Sequence, residues 1–425
     1  MQKALLTTVS AIALSISATA ALASGSATYS TQEGNNQSAT IDQSLATNAA
    51  VGSPTAAFDQ NNGAYSGGNV IAITQTGTTD TFGVNAPSFQ SGGLNQASVG
   101  QAGSANDVVL QQTGYNNGNL YGAISQAGAG NAVALEQIGT QNNFSITQDA
   151  SSANSDFTAF QTGNYNSVVS AQTGTVWASI NQSGSNNAFD NTQSGWENSF
   201  AYNSTAAIWA YPYPPTELVG AYAALQDGTN NLIVNNQSGS NQTFALSAQA
   251  GDFNTIYNSQ SNYNNIAYVA QVGSSLTITN DQIGSGGIAT YTQYGSNNSA
   301  TLVQSANANT ATFTQDGSNN VMSMNQSGDG AIANGGNIGT LVQTSASSSN
   351  TAYLTQSGDA NIATSTQSGY YSLASLVQSG DLNTIIGMQN GTGPSENQAY
   401  VAQSSTGNTA SYNQNGSGNF VSIKQ

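Results

Sequence analysis

Between Gln293 and Gln326 apolar and polar residues alternate with a period of two, break, and then alternate again in the same phase. One row reads Asn298, Ala300, Leu302, Gln304, then Asn309, Ala311, Phe313, Gln315, then Asn320, Met322, Met324, Gln326. The row between reads Ser299, Thr301, Val303, then Thr310, Thr312, Thr314, then Val321, Ser323, Asn325. Residues two apart share one face of a β-strand, so each run predicts a strand buried on one side. At the breaks a glycine usually follows the glutamine by two positions, as at Gly239, Gly251, Gly273, Gly284, Gly295, Gly317 and Gly328. With Ser, Asn or Asp beside it, that glycine predicts a tight turn needing φ above zero. Each unit is therefore a strand of about seven residues plus a turn of about four, and two units close one coil.

The same beat runs through most of the chain. Counted from Gln32 to Gln425, 20 of the 31 intervals between ladder glutamines equal eleven residues. Chance would give about three, so this is a repeat architecture rather than a disordered polar tract. The steadiest stretch is Gln249, Gln260, Gln271, Gln282, Gln293, Gln304, Gln315 and Gln326, and the beat returns at Gln403, Gln414 and Gln425. Asparagine stands five residues after the glutamine at Asn254, Asn265, Asn298, Asn309 and Asn320. A repeat this short cannot bury a core alone, so copies must stack. The expected fold is all-β, a flat two-sheet β-solenoid of coils about 22 residues long, stacked in cross-β fashion at ~4.8 Å.

Burying amides costs about 1–3 kcal/mol each when they are unsatisfied. In a stack each amide lies over another and can donate to it, as Asn and Gln ladders do in cross-β assemblies. All six prolines fall where the period is broken: Pro54, Pro87, Pro394 and the trio Pro212, Pro214 and Pro215. Proline cannot donate to a strand ladder, so those intervals read as lengthened turns. The chain then divides into 1–23, a short segment 24–31, a first repeat block 32–193, an aromatic and proline-rich insert 194–225, and a second repeat block 226–425.

Composition narrows the functional classes. Charged residues are only 5%, with 19 acids against two basic residues and a net charge of −17. That field repels nucleic acid and anionic lipid, so neither is an expected partner. Residues 1–23 have a basic start at Lys3, an apolar middle and an Ala21-Leu22-Ala23 ending, which predicts a secretory signal peptide cleaved after Ala23. No later stretch is long and apolar enough to insert directly in a bilayer. There is no cysteine and no histidine, which removes disulfides, thiol nucleophiles and the usual general base. No catalytic, cofactor or metal site is expected.

The pattern Q-x-G-x-x-N-x-A-x-x-x-Q resembles the curlin repeat of bacterial curli, the extracellular amyloid fibres of biofilms. Gln293–Gln304 and Gln356–Gln367 carry it, and Gln193 through Asn198 match with Phe at the small position. The resemblance implies a secreted fimbrial subunit, exported through the periplasm, passed through an outer-membrane channel and nucleated at the cell surface. It also implies a homopolymer in which the partner is another copy, with adhesion as an outcome. A minor or nucleating component, or a monomeric solenoid adhesin, is the alternative.

Other features carry weaker expectations. Acids gather in the turns: Asp252, Asp329, Asp359 and Asp381 lie three residues after a ladder glutamine, and Asp149, Asp227 and Asp316 lie one after. Asp359 and Asp381 should occupy one column on adjacent coils, where mutual repulsion of about 1 kcal/mol would make them gatekeepers against premature assembly, or a weak cation site. The insert holds Trp209, Tyr211, Tyr213 and Tyr222, a candidate adhesive loop or a long turn covering a sheet face. A regular T-x-T array would suggest ice binding, but Thr310, Thr312 and Thr314 read as a local run.

Overall fold

The structure is a computed structural model that describes residues 26–33, 36–43, 45–55, 57–61, 67–118, 122–149, 151–200, 224–328, 336–344 and 349–425. The signal peptide 1–23 with its Ala23 cleavage site lies outside the described residues. So do most of the 194–225 insert, with Trp209, Tyr211, Tyr213, Tyr222 and three of its prolines, and Asp329. The chain divides into two compact units, 1–169 and 170–425.

In the second unit every strand pairs in parallel with the strand one coil away. Ile266–Ser274 aligns with Ile288–Ser296, which aligns with Thr310–Ser318. The intervening strands form their own stack: Thr277–Gln282, Ser299–Gln304 and Val321–Gln326. The register step is 22 residues wherever the eleven-residue beat is unbroken, as from Ile266 to Ile288. This is the two-sheet β-solenoid that the alternation predicts. The two stacks face each other within side-chain reach, since the Tyr291 hydroxyl donates to Asn280 Oδ1 on the facing strand at 3.0 Å.

The buried rows are the ones read from the sequence. Ala300, Leu302, Gln304, Ala311, Phe313, Gln315, Met322, Met324 and Gln326 are all buried, while Thr301, Thr312 and Ser323 are half-buried on the outside. Interior volumes compensate between coils. Gly339 leaves the space that Met324 and Leu354 fill, and Gly387 leaves the space over which the Tyr412 ring lies. Tyr412 reaches past it to the Ser365 hydroxyl at 3.2 Å.

The first unit has the same architecture with less uniform coils. Asp107–Tyr115 aligns with Ala132–Thr140, which aligns with Asp156–Asn164, and Gln96–Ser104 aligns with Ala123–Ala129. Its early strands are short, down to the pairs Ala50–Val51 and Thr81–Phe82. Phe58 and Phe82 fill its interior edge to face at 5.5 Å. Pro54, Pro87 and Pro394 all lie outside strands, as a residue without an N–H must.

The turns are built differently from the sequence expectation. Strands run on through the glycine, as Ile288–Ser296 does through Gly295, and the chain reverses two residues later. There a non-glycine residue takes the left-handed conformation: Asn297 at φ +55°, Asn319 at +56°, Phe253 at +59°, Leu382 at +58°. The glycines sit where backbones of successive coils touch. A Cβ on Gly273, at φ +145°, would run into the carbonyl oxygen of Gly295. Gly239, Gly251, Gly295 and Gly317 also have φ between +100° and +110°. Gly284 and Gly328 do not adopt positive φ; there glycine is needed because a side chain would strike the Ala306 and Gly358 carbonyl oxygens.

Candidate functional site: the amide ladders and their turns

Two glutamine columns run through the second unit, one on each stack. On one, Gln249 Nε2 donates to Gln271 Oε1 at 3.0 Å, Gln271 to Gln293 at 2.9 Å and Gln293 to Gln315 at 2.5 Å. On the other, Gln260 donates to Gln282, Gln282 to Gln304 and Gln304 to Gln326, each at 2.8 Å. Gln389 donates to Gln414 at 2.7 Å and Gln403 to Gln425 at 2.9 Å. Except for Gln414 and Gln425 near the end, these amides are almost wholly shielded from water.

Each amide points the same way. The second Nε2 proton donates to a backbone carbonyl of the facing strand, as from Gln293 to Thr277 at 3.1 Å and from Gln315 to Ser299 at 2.9 Å. That second bond fixes the amide orientation, because a flipped group would set oxygen against oxygen. Every coil therefore offers donors toward the C-terminal side and acceptors toward the N-terminal side.

The asparagines do a different job. Asn298 Nδ2 donates back to the Tyr294 carbonyl at 2.7 Å and across to Gly317 on the next coil at 3.1 Å, while its Oδ1 accepts the Asn320 N–H at 3.0 Å. Asn254 and Asn265 bind the Ala250 and Ser261 carbonyls in the same way, and Asn320 binds Asp316. Asn309 holds the Ala306 carbonyl and accepts from Asn337 N–H. Standing at the corner beside backbone groups of its own turn and of the next coil, the side chain closes its own turn and latches the next.

The turn aspartates join this latch. Asp381 Oδ1 accepts the Asp359 N–H at 2.9 Å, and Asp252 Oδ1 accepts the Thr229 N–H at 2.9 Å. Asp359 and Asp381 are thus on adjacent coils in one column, both half-buried.

A third column escaped the sequence reading. Asn191, Asn235, Asn258 and Asn280 stack two residues before the ladder glutamines, with Asn235, Asn258 and Asn280 each donating to the preceding Oδ1 at 2.7 Å. Each also donates to its neighbouring glutamine, as Asn258 does to Gln260 at 3.3 Å. This column donates toward the N-terminal side, against the glutamines. It starts on the Ser170 hydroxyl and ends beneath Tyr291, whose phenol is pushed well up by complete burial and so stays protonated to donate. The N-x-Q spelling at these positions was the available signal.

Asparagine is replaced in the latch column at several positions, among them Leu276, Gly287 and Ser372, whose N–H groups still donate to the preceding asparagine Oδ1. Two other replacements leave a buried carboxylate or amide oxygen unsatisfied. Asp80 replaces asparagine in the first unit; its Oδ1 accepts from Asn106 N and Nδ2 at 3.0 and 3.1 Å, and its buried Oδ2 has no hydrogen-bond partner. Burial pushes the Asp80 carboxyl above its ordinary value, with the Asn106 donors pulling the other way. Gln242 replaces asparagine in the second unit and leaves its buried Oε1 without a partner. Desolvation also raises the Asp156 carboxyl to about 7.

The insert leaves from the middle of a strand. Phe200 aligns with Phe244, and the chain resumes at Ala224 aligned with Ile180. Gln182 and Gln226 are 44 residues apart, twice the regular coil step, yet bonded at 2.8 Å, so the ladder continues unbroken across the insert. Trp196 at its start is exposed.

Fold and ladders together define a parallel β-solenoid with a hydrogen-bonded amide interior. Residues 295–328, which carry Gln304, Gln315 and Gln326, match the family model of the curlin associated repeat, and this supports placing the chain in the curlin-repeat family. That family is structural rather than enzymatic. No curated protein matches the chain. Among the described residues no helix is long and apolar enough to cross a membrane, and no group of three acidic side chains is placed to hold a metal.

Proposed function

We propose that the chain is a secreted structural subunit that builds extracellular, curli-like amyloid fibres by adding copies end to end. The observation that carries this is the common direction of the glutamine amides, from Gln249 through Gln315 and from Gln260 through Gln326. A coil with a donor side and an acceptor side fits another copy head to tail, and unlike faces joined by translation form an open filament rather than a closed ring. Unpaired strand edges of an end coil add backbone hydrogen bonds to the same contact. The curlin repeat supports the extracellular, fibre-forming setting.

On this reading residues 1–23 are the export signal, an outer-membrane channel and a surface nucleator are the other partners, and the fibre serves in a biofilm matrix. Asp359 and Asp381 act as gatekeepers through the charge they stack. The full chain should form thioflavin-positive fibres with reflections at ~4.8 and ~10 Å, extended by preformed seeds. A chain that stays monomeric at high concentration in the presence of seeds is not such a subunit. Deleting 196–225 distinguishes the adhesin alternative: loss of attachment with intact solubility supports the adhesin, and unchanged fibre growth supports the subunit.

A further inference from the structure

The threonine run at 310–314 is not local once the coils are stacked. Thr290, Thr312, Thr340 and Thr364 are direct register partners on four successive coils of one outer face. Beside them lie Thr292, Thr314, Val342 and Thr366, and on the other side Ile288, Thr310, Ile338 and Ile362. The register survives two irregular coils, since the glutamines beneath are 28 and 24 residues apart. The array is bounded by Tyr268 on one side and by Ile386 and Met388 on the other.

This three-by-four grid has consistent chemistry. All of its residues are β-branched and therefore stiff at χ1, so methyls and hydroxyls are held at fixed spacings before any ligand arrives. None is charged, although the whole chain carries a net charge of −17. The threonine side chains are half-buried, and among the described residues none of their hydroxyls bonds another protein group. Each hydroxyl is left to donate and accept with water, and each methyl orders the water around it.

Neither a protein nor a charged polymer fits such a face well. Its extent, from ~4.8 Å between coils and ~6.6 Å between alternate residues, is about 400 Å². A stable protein pair needs about 800 Å² on each partner. What a small, neutral, rigid grid of hydroxyl-methyl pairs can match is a periodic, neutral lattice of water. The coil repeat of ~4.8 Å lies near the oxygen repeat of hexagonal ice. We propose that the face formed by Thr290, Thr292, Thr312, Thr314, Thr340 and Thr364 binds ice, a property that goes beyond fibre building and is open to monomer and fibre alike.

The test uses the full chain in ice-recrystallisation and crystal-shaping assays, alongside Thr312→Tyr/Thr340→Tyr and a control, Thr301→Tyr, on the opposite face. Wild type and T301Y should suppress recrystallisation and facet ice, and the double variant should lose both effects while keeping the β-sheet circular dichroism of the wild type. Ice that grows with wild type as in buffer overturns the proposal, as does a folded double variant with undiminished activity. So does a wild type that only self-associates through this face. Partition of fluorescently labelled wild type into slowly growing ice decides the matter independently of how the variants fold: exclusion from the ice refutes it.

Discussion

The two units solve one problem under different constraints. In the first, successive glutamines on one column are 28, 30, 22, 25 and 24 residues apart. In the second, the run from Gln260 to Gln326 keeps to 22 at every step. Bond lengths do not follow that difference: Gln60 to Gln90 spans 30 residues at 2.7 Å, and Gln282 to Gln304 spans 22 at 2.8 Å. Register is thus set by the amides and inner rows, while turn length is free. The asparagine latch does differ, because the first unit contains an acid, Asp80, in that column, where the replacements Gln242, Leu276, Gly287 and Ser372 in the second unit are all uncharged.

The largest effect should come from cutting a ladder. Gln293→Leu orphans the Gln271 donor and the Gln315 acceptor, costing about 2–6 kcal/mol at about 1–3 per buried group. Gln112→Leu in the first unit should cost a similar amount, measured by denaturant unfolding and segment-resolved hydrogen exchange. A much smaller loss in the first unit would show that its uneven coils do not depend on the column. Next comes Gly273→Ala, which meets the Gly295 carbonyl at an unfavourable φ and should destabilise by about 2–3 kcal/mol, well beyond an ordinary surface change.

The pH response should separate the units. Asp80 and Asp156 both have folded-state pKa values raised above those of the unfolded chain, Asp156 to about 7, so the folded state holds more protons over the acid range, up to about pH 7 at Asp156. Their contribution is most favourable below the unfolded value and is lost as pH rises through the folded one. Exchange protection in the first unit should therefore fall from pH 4 to 7, and Asp80→Asn with Asp156→Asn should flatten that fall. The smallest expected effect is Gln242→Asn, which removes an unsatisfied oxygen and should stabilise the second unit by about 1 kcal/mol in thermal melts.

The sequence made the ladder legible because glutamine, unlike an apolar filler, cannot move off its column without losing a hydrogen bond. The alternation at 298–326 likewise placed the core row correctly. Three things stayed hidden. The left-handed corner falls on Leu94, Tyr165, Phe253 and Tyr371, residues with no turn preference, because packing between coils overrides local propensity. The column Asn191–Asn235–Asn258–Asn280 sits at positions usually filled by apolar residues, so its polarity looked incidental. The threonine grid was hidden by coils of unequal length, which spread aligned residues unevenly along the chain.

Those corners bear on kinetics. An L-residue held left-handed costs roughly 1–2 kcal/mol, and Phe253, Tyr165 and Leu382 do so with their side chains more than half in water. A single coil has nothing to offset that strain, whereas a coil laid on a finished neighbour gains its latches and amide bonds at once. Starting a stack should therefore be slow and extending one fast, so that a pronounced lag before growth is written into the bends of the chain.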